Sequence, residues 1–196
     1  FMLTSPLQLA VMTARLATGR DVSPRLVKSV DGIEQPERGG QSLGVNENNL
    51  RKMRRAMFAV VNDRRGTAYR SRIIAEEMRM AGKTGTSQVR NITAAERRAG
   101  VIRNEDLPWE RRDHALFVNF APYEAPKVAV AVVVEHGGGG SKAAAPIARD
   151  VTLQALYGGP PPLEAYPAKD RERIEAQQEK LKEMQPLASF PGRDQA

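Results

Sequence analysis

Residues 128–134 read Val-Ala-Val-Ala-Val-Val-Val, a run without a polar break. β-Branched valine favours extended backbone, and a strand with no polar alternation must be covered on both faces. Both faces of this strand should therefore be buried. A second β-forming segment, Ala115 to Ala121, lies just upstream, and the link from Pro122 to Pro126 has hairpin length. The spacing therefore predicts paired strands over Ala115–Ala121 and Lys127–Glu135. A glycine run then leads into a predicted helix from Lys142 to Tyr157, built on alanines, Ile147, Val151, Leu153 and Leu156.

Two helices are predicted earlier. Ser5 is a plausible N-cap before Pro6, Leu9, Met12 and Leu16 follow helical spacing, and Gly19 is a natural stop. The second runs from Asn46 to about Asn62, with Leu50, Met53, Met57, Val60 and Val61 on one face. Between them, Asp21 to Gly44 is loop-like, with one short extended piece around Leu26-Val27. Gly66-Thr67-Ala68 reads as a turn, and Thr93-Ala94-Ala95-Glu96 has capping-box spacing for a short helix. The expected fold class is α+β, an antiparallel sheet covered by helices. After Gly158-Gly159-Pro160-Pro161-Pro162 the composition changes. The expected division is a domain over 1–158 and a charged tail over 159–196. Asp170 to Met184 reads as a surface helix or a disordered tail, outside the core, with Ile174 and Leu181 as its few anchors.

Composition narrows the function classes. With 196 residues and 41% hydrophobic content the chain can bury one substantial core, or most of one. No run is long enough for a transmembrane helix, no signal-peptide pattern is present, and Phe1-Met2-Leu3-Thr4 reads as the interior of a longer protein. The absence of cysteine excludes disulfides, thiolate metal sites and a cysteine nucleophile. A formal charge of +7 suits an anionic partner such as nucleic acid, anionic lipid or carboxylate-rich cell-wall peptide. The basic stretch from Arg51 to Arg72 reads as a solvated helix face beside a basic turn. Nucleic-acid motifs are missing, and 5% aromatics leave little for base stacking.

Several local patterns carry no chemistry. Gly82-Lys83-Thr84 fails as a P-loop because Glu77 stands where a glycine is required. Gly138-x-Gly140-x-x-Ala143 mimics a dinucleotide fingerprint, but no strand-like run follows its helix. His114 and His136 lack metal-ligand spacing and read as structural, and Trp109 reads as a packing anchor under a loop. No cofactor and no metal are expected.

Lys83-Thr84-Gly85-Thr86-Ser87 does carry chemistry. On a strand, the ammonium supplies charge and the hydroxyls supply hydrogen bonds. The glycine lets a ligand backbone lie close. That set suits a peptide bearing a carboxylate. A lysine among other cations can also have a lowered pKa and relay protons, so its role stays open between charge and proton transfer.

With its neighbours, this motif resembles the transpeptidase domain of class B penicillin-binding proteins, and within them the elongation-type penicillin-binding protein 2 subfamily. The resemblance runs from Phe1 to about Gly158. It is carried by residues 5–10, Gly66-Thr67-Ala68, the Lys83 motif, Asn104 to Trp109, Phe117 to Tyr123 and Val134 to Ser141. It implies acyl transfer: a serine in Ser-x-x-Lys attacks the penultimate D-Ala carbonyl of a peptidoglycan stem peptide, and a neighbouring amine resolves the acyl-enzyme. β-Lactams would acylate the same serine. By the same resemblance, Lys83 lies near the substrate carboxylate and the proton network, and Thr84 and Thr86 hold that carboxylate. The Thr86 N–H is one of two oxyanion donors, and Gly85 keeps the strand open to substrate. The implied partners are stem peptides, β-lactams, a SEDS-family glycan polymerase and other elongation-complex proteins. The implied location is the periplasmic side of the inner membrane, through an anchor outside this chain.

The sequence departs from the family in one respect. None of its serines has lysine three positions on or asparagine two positions on, so both serine motifs are missing. The chain is therefore expected to be the C-terminal part of the domain, inert alone, with strand 128–134 exposing an edge that the missing part would cover. Three other readings compete: a serine β-lactamase or D,D-carboxypeptidase of the same superfamily, a non-catalytic peptidoglycan-binding module, and a basic nucleic-acid binder.

Overall fold

A computed structural model describes residues 3–35 and 40–183. Its elements in chain order are α1 (Pro6–Thr18), β1 (Ser29–Val30), β2 (Ile33–Glu34), α2 (Glu47–Asn62) and β3 (Ala81–Ser87). They continue with α3 (Ala94–Ala99), β4 (His114–Ala121), β5 (Val128–Val134), α4 (Gly140–Tyr157) and α5 (Ala168–Glu183). β3, β4 and β5 form one antiparallel sheet in that order, with Ala81 opposite Phe120 and Ala121 opposite Val128. This is the expected α+β class.

The caps predicted for the first helix form as the residue types dictate. The Gln8 N–H donates to Ser5 Oγ, the Gln8 side chain accepts from the Ser5 N–H, and Gly19 closes α1 in the left-handed region. Asn46 caps α2 by accepting from the Asn48 N–H. Thr93 caps α3 through the Glu96 N–H, whereas the Glu96 carboxylate turns away to Arg90.

Each face of the sheet meets its own helices. Ala81 and Phe120 pack with Ala129, Ala17 and Met57 under α1 and α2. On the other face, Ala115, Phe117 and Ala121 pack with Ala144, Ala145 and Ala148 of α4, flanked by Val128, Val130, Val132 and Val134. The alternation along β5 is thus one of size. Valines meet the small residues of α4, and the side under α1 is mostly alanine. A buried pair crosses this second layer, with Asn119 Nδ2 donating to Thr152 Oγ1 at 2.7 Å.

Four expectations are corrected. Every residue of β5 is half-buried rather than buried, because the strand sits at the edge of the sheet and only its faces are covered. Met53 is 50% exposed, and only Leu50, Met57 and Val61 of α2 are buried. The extended backbone of the loop lies at Ser29–Glu34, in the small β1–β2 hairpin, and Leu26-Val27 is outside it. The segment 170–183 is helical and mostly exposed, but Ile174 belongs to the main apolar cluster, so it is anchored to the core. Met184 and the residues after it lie outside the described residues.

That anchorage is also ionic. Arg149 of α4 is fully buried and donates to Asp150 Oδ1 at 2.8 Å and to Asp170 Oδ2 at 2.6 Å. Its guanidinium lies 5.0 Å from the ring centroid of Tyr166. Burial pushes the Tyr166 phenol up to about 12, with the Asp150 charge adding to the effect. Burial also raises the Asp150 carboxyl above its usual range, against the pull of Arg149.

Candidate active site

β3 has β4 as its one neighbour among the described residues, so its other edge is unpaired. The strand is buried at Ala81 and Gly82 and opens to solvent from Lys83 onward. Glycine is required at 82: a Cβ there would lie 2.5 Å from the Phe117 ring and 2.7 Å from the Val118 carbonyl. The glycine lets the strand lie down on the β4 core before it emerges carrying the charged motif.

The motif residues are brought together. Lys83 Nζ donates to the Thr84 carbonyl at 2.8 Å and contacts Thr84 Oγ1 at 3.4 Å. Thr84 Oγ1 in turn shares a hydrogen bond of 3.1 Å with Thr67 Oγ1. Pairing with β4 sets Lys83 and Gly85 opposite Val118 and Leu116, and Thr84 and Thr86 opposite Phe117 and Ala115. By the period of a strand, the two threonines share the α4 side and lysine lies on the other, curling over the edge. Lys83 and Thr86 are exposed, and Thr84 and Gly85 are half-buried.

Two supports lay beyond sequence reading. Thr67 belongs to a turn whose Gly66 packs on the Val60 and Ala59 carbonyls, which brings a distant hydroxyl onto β3. Gly140 begins α4 directly over the backbone of β3 and β4, where a Cβ would collide with the carbonyls of Leu116 and Gly85. The signal for the first was the Gly66-Thr67-Ala68 turn itself, and for the second the glycine run. Neither reveals its contact, because both partners are far away in sequence.

Beyond the strand, the segment 88–113 is held together by hydrogen bonds and an ion pair, and the Val89 N–H donates to Asp113 Oδ1 at 3.3 Å across its ends. The Asp113 N–H donates to Asn104 Oδ1 at 2.7 Å, and Asp113 Oδ2 accepts from Asn104 Nδ2 at 3.1 Å. Arg90 grips Glu96 bidentately at 2.7 and 2.6 Å. That bond holds the Glu96 carboxyl below its usual range, helped by the Ile102 N–H, and it holds the Arg90 guanidinium above its own. The two histidines do meet. The His136 N–H donates to His114 Nδ1 at 2.9 Å, and the rings lie 4.7 Å apart. Trp109 is 55% exposed and rests on His136, so it lies over a ring at the surface rather than under a loop. No group of three or more metal-ligating side chains occurs among the described residues.

Known proteins share this sequence and fold. Residues 2–153 match the family model described as the penicillin-binding protein transpeptidase domain. The peptidoglycan D,D-transpeptidase MrdA of Haemophilus influenzae is 34% identical over 181 residues, covering 89% of this chain and 27% of that protein. The crystal structure of Pseudomonas aeruginosa PBP2 superposes with a TM-score of 0.59 at 34% identity, over 80% of this chain and 30% of the other. PBP2 of Helicobacter pylori, solved in complex with MreC, superposes with a TM-score of 0.57 at 31% identity, over 79% and 25%. The chain thus spans about a quarter of the length of the curated relatives it matches. With the family match covering residues 2–153 and a relative 34% identical over 89% of its length, the chain belongs to the penicillin-binding protein transpeptidase domain family.

Proposed function

We propose that the complete protein is a peptidoglycan D,D-transpeptidase of the elongation type, and that this chain supplies the carboxylate-binding wall of its active site. The observation that carries the reading is β3: an edge strand with one side free, presenting Lys83, Thr84, Gly85 and Thr86 where an extended peptide can add alongside. On this reading the Thr84 and Thr86 hydroxyls and the Lys83 ammonium receive the terminal carboxylate. The Thr86 N–H donates to the oxyanion that develops on the penultimate carbonyl.

The nucleophilic serine comes from a Ser-x-x-Lys motif outside these residues, since none of the chain's serines stands in that context. Its attack expels D-Ala, and the amine of a second stem peptide then displaces the serine to form the crosslink. The same serine opens β-lactams. The protein would work on the periplasmic side of the inner membrane, held by a membrane anchor. Its partners would be a SEDS-family polymerase and an MreC-type protein such as the one found with the Helicobacter pylori relative.

Labelled penicillin tests this directly. The full-length protein should form a serine adduct, and Lys83→Ala should slow acylation about a hundredfold or more, the scale on which one electrostatic contact to the transition state acts. The 196-residue chain alone should show no adduct by intact mass. A stoichiometric serine adduct on that chain, or full acylation by Lys83→Ala, would overturn the assignment.

A further inference from the structure

Behind the β3 site, on the α4 side of the sheet, lies an open cavity of about 790 Å³. Its wall carries five cations: Arg64 and Arg70 from the turn after α2, Lys142 from the first turn of α4, and Lys169 and Arg173 from α5. Against them stand two carboxylates, Asp150 and Asp170, and both are already engaged by the buried Arg149. The wall therefore has more positive charge than its own acids neutralise.

The remaining ties of these cations are weak. Lys142 reaches Glu105 only at 4.0 Å between exposed side chains, and Arg173 donates to the neutral Gln177. The start of α4 adds to the same sign. Its N-cap is Gly139, with no side-chain cap, and Ser141 lines the cavity. Cations drawn from three separate elements around one concavity repel one another unless an anion joins them.

We infer that this cavity is a second binding site, for an oligoanion carrying at least two phosphate or carboxylate groups. The volume exceeds what a single inorganic ion fills, and guanidinium groups at separate points of the wall suit planar bidentate contacts to more than one anionic group. Part of the wall, Lys169 and Arg173, lies beyond residue 153, where the family match ends. The site is thus built partly by the segment that docks through Arg149, Tyr166 and Ile174. Thr67 lines the cavity and also bonds Thr84, so the site adjoins β3 without including its lysine.

The test is titration of the full-length protein with inorganic pyrophosphate, and separately with citrate, at two salt concentrations. Saturable binding that weakens with salt is expected for at least one probe. Pyrophosphate alone would identify a phosphate ligand, and citrate as well would admit a polycarboxylate. A double variant, Arg70→Gln with Arg173→Gln, should lose affinity by about tenfold or more, the worth of a lost charge-assisted hydrogen bond. The variant Arg70→Lys with Arg173→Lys should bind between the two, since it keeps the charge but not the bidentate geometry. Penicillin acylation should be unchanged in both pairs, which separates this site from the acyl-transfer reading and shows that the variants fold. Absence of saturable binding for both probes, or affinity retained in the glutamine variant, would overturn the proposal.

Discussion

Two adjacent glycines at the start of α4 do opposite work. Gly140 sits against the carbonyls of Leu116 and Gly85, leaving no room for a methyl group. Gly139 has nothing within 4 Å of a built Cβ, and its φ of −88° and ψ of 129° are those of an N-cap. Gly140→Ala should therefore lift α4 from β3 and cost about 1–3 kcal/mol, the usual range for overpacking. Gly139→Ser should supply the missing cap and stabilise by a few tenths of a kcal/mol, roughly the difference between glycine and serine at that position. Thermal melting of the full-length protein checks both signs, and a fall in melting temperature for Gly139→Ser would contradict this account. Gly140→Ala should also slow penicillin acylation, because its collision is with the strand that carries Lys83.

At the scale of elements, α5 shows what composition hides. The stretch from Ala168 to Glu183 is mostly charged or polar, so its pattern signals a solvated face. Its attachment rests on Ile174, on Asp170 and on an arginine buried in an alanine-rich helix 21 residues earlier. No periodicity reveals a single ion pair of that kind. Where the signal was local, the sequence revealed the element. Ser5, Pro6 and Gly19 fixed α1, and the valines fixed β5, because caps and strand propensity act locally. Met53 and Trp109 failed for the converse reason, since their exposure depends on which neighbours the fold brings. Asp170→Ala should cost about 3 kcal/mol, the low end for breaking a buried pair, because Asp150 still holds the arginine. Faster amide exchange confined to 168–183 would report it. The alkaline limit of this docking follows from Tyr166. Its folded pKa of about 12 exceeds the ordinary value of 10.0. The stability it contributes is complete below pH ~10 and is lost as pH rises towards 12, because the undocked phenol ionises first. Tyr166→Phe removes the ionisation, and its α5 should stay protected at pH 11, where the parent helix exchanges faster. Equal protection in the two proteins would sink the argument.

The molecule as a whole is a three-stranded sheet with both faces covered and its apolar outer strand, β5, paired on one side only among the described residues. The candidate carboxylate-binding residues Lys83, Thr84 and Thr86 were legible as a group, because strand alternation puts the two hydroxyls on one side, whereas the curl that brings the Lys83 ammonium over the edge to Thr84 was not. The serine of the proposed reaction was not legible either, since no serine of this chain has the required neighbours. The outer edge of β5 governs solution behaviour. The free edge of a strand of valine and alanine exposes backbone donors and acceptors flanked by apolar side chains, the usual template for edge-to-edge pairing. The surplus of positive charge opposes association, but at physiological salt it is screened beyond ~8 Å, whereas strand pairing acts at contact. The 196-residue chain expressed alone should therefore dimerise or aggregate as its concentration rises, and more readily as salt increases. Adding the remaining part of the domain as a separate polypeptide should suppress this by covering β5. Size-exclusion with light scattering across a concentration series decides the matter: a soluble monomer at every concentration and salt would show that the edge of β5 is protected by the chain itself.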